Sequence, residues 1–181
     1  MLPSLASDYF EFFSLAPKLQ IDLEDLQKRF YELSKLLHPD RYQRKSVPEQ
    51  QYSLDATAVL NDAYRVLRDP LQRAEYVLKQ AGFQTSEQRS KDVPAELLEE
   101  VFELNMALEE MRDGDASARP QLEEAREKFH ALRDEIDARL KTLFAVYDAR
   151  PGKETLSEIR SILNRRRYIR NLVNDVEKEL Q

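Results

Sequence analysis

The sequence predicts an all-α protein, and three observations carry the prediction. Only three glycines occur and β-branched residues are sparse, which disfavours strands and their tight turns. Charged residues make up 34% of the chain, as on helices with solvated faces. Apolar residues recur at helical spacing through most of its length.

Each expected element follows from its own signals. Asp8–Phe13 reads as a short helix capped near Ser7 or Asp8. A helix begins near Asp22, with acids in its first turn as the dipole prefers. Leu26, Phe30, Leu33 and Leu37 fall on one of its faces, and Pro39 ends it by disfavouring helical geometry at the preceding residue. A third helix is expected from about Glu49 to Leu67, with Leu60, Tyr64 and Leu67 on one face and Arg68-Asp69-Pro70 as its stop. Leu71–Gly82 makes one more, closed by Gly82. Phe83–Asp92 is polar and reads as a linker.

The second half reads as a three-helix bundle with short connections. Pro94 suits the first turn of a helix carrying Leu97, Val101, Leu104, Leu108 and Met111. Asp113–Pro120 turns into a long helix marked by Leu122, Ala125, Phe129, Leu132, Ile136, Leu140, Leu143 and Tyr147. Ala149–Lys153 turns again, and Leu156, Ile159, Leu163, Val173, Val176 and Leu180 mark the last helix.

Composition narrows the functional classes. The absence of cysteine excludes disulfides, thiolate metal sites, an iron–sulfur cluster on this chain and a cysteine nucleophile. Two histidines make a multi-histidine metal site a poor expectation, and neither a resident metal nor another cofactor is expected. A net charge of −6 argues against sequence-independent nucleic-acid binding. No apolar run is long enough to span a bilayer, and no secretory signal is expected at the N-terminus. The basic run Asn164–Arg170 reads as a solvated or partner-facing helix face rather than an RNA contact, and His130 as a surface or boundary residue.

One stretch, Lys35–Lys45, stands out: KLLHPDRYQRK. His38 beside Asp40 could do acid–base chemistry, but no nucleophile motif or oxyanion-type turn accompanies them. The pair could equally belong to a plain helix-ending turn. The third reading is a docking loop, in which Pro39 holds His38 and Asp40 exposed between two antiparallel helices. Lys28, Arg29, Lys35, Arg41, Arg44 and Lys45 would then form a basic surface for an acidic partner.

A second patch lies beyond the linker. With Leu97 set at zero on the helix wheel, Leu98, Phe102 and Met106 fall at about 100°, 140° and 180°. They form an apolar stripe that the bundle core does not need. Glu99, Glu103, Glu109 and Glu110 flank it, and Glu96–Glu110 contains no basic residue. Such a stripe suits a protein-binding face. Packing on the first half of the chain, or scattered exposure, are the alternatives.

His-Pro-Asp between two such helices resembles the signature of J-domains, co-chaperones that dock on DnaK/HscA-class heat-shock chaperones and stimulate their ATP hydrolysis. The surrounding DYFEFFSL, LQKRFYELSKLLHPDRY and LNDAYRVLRDPLQRAEYVLKQAGF are similar to HscB, the J-protein family of iron–sulfur cluster assembly. The resemblance implies that His38, Pro39 and Asp40 signal to the chaperone's ATPase while Lys28, Arg29, Lys35 and Arg41 hold its acidic surface. Arg41 stands where many J-domains have lysine. Asn61 and the segment RDPLQRAEY are implied to be structural, packing the last short helix onto the others.

In HscB proteins the face on the bundle holds the iron–sulfur scaffold IscU. The resemblance therefore assigns scaffold contacts to Leu98, Phe102, Glu103, Met106 and, on the last helix, Tyr168. Glu99 replaces a common methionine and Met106 a common acid. The cysteine-bearing extension of some HscB proteins is expected to be absent. The whole reading is an L-shaped, two-domain, non-enzymatic and cytoplasmic co-chaperone that binds no nucleotide. Its J-domain spans residues 7–82, a linker 83–91 and the scaffold-binding bundle 92–181. The alternative is a J-protein serving a different client.

Overall fold

The structure, a computed structural model, describes residues 2–84 and 95–181, without the side chain of Glu96. The described residues form helices and turns and no strand. They separate into two compact units, Met1–Phe83 and Gln84–Gln181. Residues 85–91 of the expected linker and Pro94 lie outside the described residues.

In the first unit, α1 (Tyr9–Phe12) is capped by Asp8, whose carboxylate accepts from the Glu11 N–H at 2.9 Å. Its end at Phe13 is followed by Ser14 in the left-handed region, at φ 54°. α2 (Leu23–Leu37) starts on Asp22, which accepts from the N–H groups of Glu24 and Asp25. It ends one residue before His38, and Pro39–Tyr42 follows as a turn of 3₁₀ helix. α3 (Val47–Arg68) begins two residues earlier than the apolar pattern indicates. The reason is local: the Glu49 carboxylate accepts from both the N–H and the hydroxyl of Ser46, a cap that periodicity does not show.

Asp69 then ends α3 and starts α4 (Pro70–Gln80), accepting from Leu71 and Gln72. α4 closes on Gly82 at φ 84°, a conformation glycine adopts without strain.

α2 and α3 pack as a hairpin. Leu26, Leu37, Ala56, Leu60, Ala63 and Leu67 are buried, while Phe30 and Tyr64 stack at 4.2 Å on its half-exposed flank. α1 packs against α3, and Tyr9 stacks on Tyr76 of α4 at 4.5 Å. Asn61, expected to be structural, is exposed. Within RDPLQRAEY Ala74 is buried, and so is the charged residue Arg73. Its guanidinium donates to the Leu19 carbonyl at 2.8 Å and to the Leu67 carbonyl, tying α4 to the segment before α2 and to the end of α3.

In the second unit α5 (Leu98–Arg112) follows a 3₁₀ turn at Ala95–Leu97. It closes on Gly114 at φ 92°. α6 (Arg119–Ala149) and α7 (Lys153–Leu180) are long and joined by three residues, 150–152. The core gathers Val101, Leu104, Leu108, Leu122, Phe129, Ile136, Leu140, Leu143, Leu156, Ile159, Leu163, Val173 and Val176, as the spacing predicts, and adds Phe144, Ile169 and Leu172.

Polar pairs order α6 and α7 as antiparallel neighbours. Arg119 donates to the Leu180 carbonyl, His130 lies 3.3 Å from Glu177, Arg166 binds Asp137 with two nitrogens, and Arg139 bonds Glu158 at 2.6 Å. The basic run of α7 is thus committed in part to the bundle itself. None of the helices among the described residues is long and apolar enough to cross a membrane.

Replacing Arg73 with methionine keeps the stem's volume but leaves two buried carbonyls without their donor. The expected loss is about 3 kcal/mol, read from urea unfolding followed at first-unit amide resonances. A change below about 1 kcal/mol would remove Arg73 as the tie between these segments.

Candidate functional site: an exposed loop and an exposed helix face

At the hairpin tip, His38 and Asp40 are both exposed and Pro39 is half-buried. His38 Nδ1 accepts from the Asp40 N–H at 3.3 Å and lies 3.5 Å from an Asp40 carboxylate oxygen. A single ring nitrogen cannot accept the first contact and donate the second, so the two contacts are alternatives. Asp40 also accepts from Gln43 at 3.2 Å. Both side chains of the pair are open to solvent.

The basic residues around the loop divide into two groups. Lys28, Lys35, Arg41, Arg44 and Lys45 are exposed, and Arg41 donates back to the Lys35 carbonyl at 3.3 Å. Arg29 is half-buried and bound on three sides: to Asp25 at 2.8 Å and to the carbonyls of Phe13 and Ser14 at 3.1 Å each. Its guanidinium braces the left-handed turn after α1 from within the unit.

On the second unit Leu98, Phe102 and Met106 are 54%, 66% and 48% exposed while their helix buries Val101, Leu104, Ala107 and Leu108. The stripe lies outside the bundle core. Beside it, α5 and α6 enclose a groove of about 450 Å³. Glu100, Glu103, Met106 and Glu110 line one wall and Glu124 and Lys128 the other, above Leu104 and Phe129. Lys128 pairs with Glu100 at 3.3 Å. The Glu100 carboxyl titrates below its ordinary range because its own backbone N–H, and then Lys128, bond to the ionised form. Tyr168 on α7 is half-buried, and its burial pushes the phenol above its usual pKa. It is not among the residues lining the groove. Among the described residues there is no group of three or more His, Asp or Glu side chains placed to hold a metal ion.

Comparison with known proteins agrees with this division. The DnaJ domain family model matches residues 8–76, and the HSCB C-terminal oligomerisation domain model matches residues 93–177. The chain is 32% identical over 136 residues to the co-chaperone protein HscB homolog of Shewanella halifaxensis, covering 75% of this chain and 78% of that one. It is 30% identical over 162 residues to the mouse iron-sulfur cluster co-chaperone protein HscB, covering 90% and 67%. The chain belongs to the HscB co-chaperone family.

Solved HscB structures agree in fold. Human HscB matches with a TM-score of 0.72 at 25% identity, over 98% of this chain and 84% of that one. Chaperone HscB from Vibrio cholerae matches with a TM-score of 0.65 at 27% identity, over 95% and 96%. The first unit of this HscB family member is therefore a J-domain, and the second an HscB C-terminal domain. The loop and the α5 face lie one on each.

Sequence reasoning missed what holds these features in place. Gln50 of α3 donates to the carbonyls of Gln43 and Lys45 at 3.3 and 2.9 Å, and Ser53 is a buried polar residue. Lys128, on the next helix, is invisible to any reading of α5 alone. The signal available for the first two was their polarity within an otherwise amphipathic helix.

The cap on α3 fixes where the loop ends, and it depends on pH. Hydrogen bonds from the Ser46 side chain, then the Ser46 backbone, hold the Glu49 carboxyl below its ordinary value of 4.5. A depressed folded-state pKa means the cap is fully formed above 4.5 and is lost as pH falls through the lower, folded value. Carboxyl carbon NMR should place the Glu49 midpoint below 4.5 and move it upward in Ser46→Ala. An unmoved midpoint would assign the shift elsewhere.

Proposed function

We propose that this protein is a J-domain co-chaperone of iron–sulfur cluster assembly. It stimulates ATP hydrolysis by a DnaK/HscA-class chaperone and delivers an IscU-type scaffold to it. The observation that carries the reading is the pairing, within one HscB family chain, of an exposed His38-Pro39-Asp40 loop with an apolar helix stripe that the core does not use. The protein has no catalytic site of its own, holds no cofactor and works in the cytoplasm, with neither nucleic acid nor membrane as partner.

The roles divide by unit. In the J-domain, residues 7–82, the loop engages the chaperone's ATPase while Lys28, Lys35 and Arg41 supply charge for its acidic surface. Arg29 shapes that surface from within. Residues 83–91 link it to the bundle, 92–181, where Leu98, Phe102 and Met106 bury against the scaffold. Glu103 contributes charge at the rim, and Tyr168 adds an aromatic contact. Joining both partners on one chain raises the effective concentration of scaffold at the chaperone. A J-protein for another client is the second reading, favoured by Glu99 and Met106, which redistribute apolar and acidic content along the stripe.

Two measurements test this. Calorimetric titration of IscU should give binding that Phe102→Ala weakens by about 2 kcal/mol. No binding by the folded wild type would remove the scaffold and leave the J-domain's role standing. His38→Gln should abolish stimulation of the chaperone's ATPase while stability stays within about 0.5 kcal/mol, since the side chain is exposed. Normal stimulation by this variant would end the docking-loop assignment.

A further inference from the structure

The turn at Pro39 creates a hydrogen-bonding problem that α3 solves. In a continuing helix the Leu37 carbonyl would accept from the N–H of Arg41. Here that N–H goes to the His38 carbonyl at 3.0 Å, so the Leu37 carbonyl loses its helical partner at a buried position. The Ser53 hydroxyl, on a residue with 0% exposure, donates to it at 2.6 Å, and Thr57 adds a longer contact at 3.4 Å. A serine inside a helix ordinarily bonds back to the carbonyl four residues earlier. Ser53 instead reaches across the hairpin.

One turn earlier on the same side of α3, Gln50 holds the carbonyls of Gln43 and Lys45, where the loop rejoins the helix. Gln50, Ser53 and Thr57 stand at i, i+3 and i+7, one stripe of α3. The stripe grips the loop by its backbone at both ends. It leaves the side chains of His38 and Asp40 facing solvent.

We infer that this polar stripe, with Ser53 as its buried member, sets how the loop is presented to the chaperone. Ser53 is a positioning residue: it touches no partner and acts by fixing the Leu37–His38 peptide plane, from which the imidazole projects. The inference deepens the chaperone-docking reading and rests on it. Ser53→Ala leaves that plane only the longer Thr57 contact, whereas Lys28 and Lys35, which supply the basic surface, are untouched.

The test compares wild type, Ser53→Ala and Ala63→Gly, the last weakening α3 at a buried site with no bond to Leu37. Stimulation of a DnaK/HscA-class ATPase is titrated against each, and amide exchange is followed from His38 to Lys45 by NMR. Ser53→Ala should cut maximal stimulation roughly fivefold, the equilibrium factor of one hydrogen bond. The half-saturating concentration should stay within about twofold, and exchange at Asp40 and Arg41 should rise by a similar fivefold. Ala63→Gly should leave maximal stimulation and loop exchange at wild-type levels.

Unchanged loop exchange in Ser53→Ala overturns the inference, as does an equal loss in Ala63→Gly. If the wild type itself stimulates no such chaperone, the docking reading fails. The exchange data then decide alone whether Ser53 holds the loop.

Discussion

A buried guanidinium organises the J-domain. Arg73 sits where a charge is costly, and the cost is offset by its bonds to the buried carbonyls of Leu19 and Leu67. One carbonyl, Leu19, precedes α2, and the other, Leu67, lies in the last turn of α3. The start of one hairpin helix and the end of the other are thereby referred to the same point on α4. Arg29 repeats the device at lower burial, bracing the Ser14 turn and so the exit from α1. In both cases an arginine's several donors reach more than one backbone carbonyl.

With the base of the hairpin tied down, its tip can project side chains without collapsing. The loop is held by its backbone: Arg41 on the Lys35 carbonyl, Gln50 on the far end, and the hydroxyls of α3 on Leu37. The His38 and Asp40 side chains bond only within the loop, to the Asp40 N–H and to Gln43, and stay exposed. A rigid backbone with exposed side chains lowers the ordering cost of docking.

The bundle divides its labour differently. Its core is complete without Leu98, Phe102 and Met106, and paired charges order α6 against α7. Leaving three large apolar side chains in water confers no stability on the folded chain, which is why the stripe is read as a face for a partner. The neighbouring groove is acidic on its α5 wall, and Lys128 of the facing wall is bound to Glu100. Basic groups on a partner would meet complementary charge there.

The amino-acid order by itself determined the helices, their approximate ends and their apolar faces, because these depend on neighbours within a few positions. Asp22, Asp69 and Gly82 act within one turn, and Leu26, Leu60 and Leu140 repeat with the helix. The motif His38-Pro39-Asp40 and the Leu98–Met106 stripe were legible for the same reason. Only the tertiary structure decided which polar residues turn inward. It buried Arg73 and Ser53, exposed Asn61, tied Arg29 to the carbonyls of Phe13 and Ser14 and set Lys128 opposite Glu100. Each outcome joins groups far apart along the chain, and no local pattern records which distant carbonyl or carboxylate a side chain will reach.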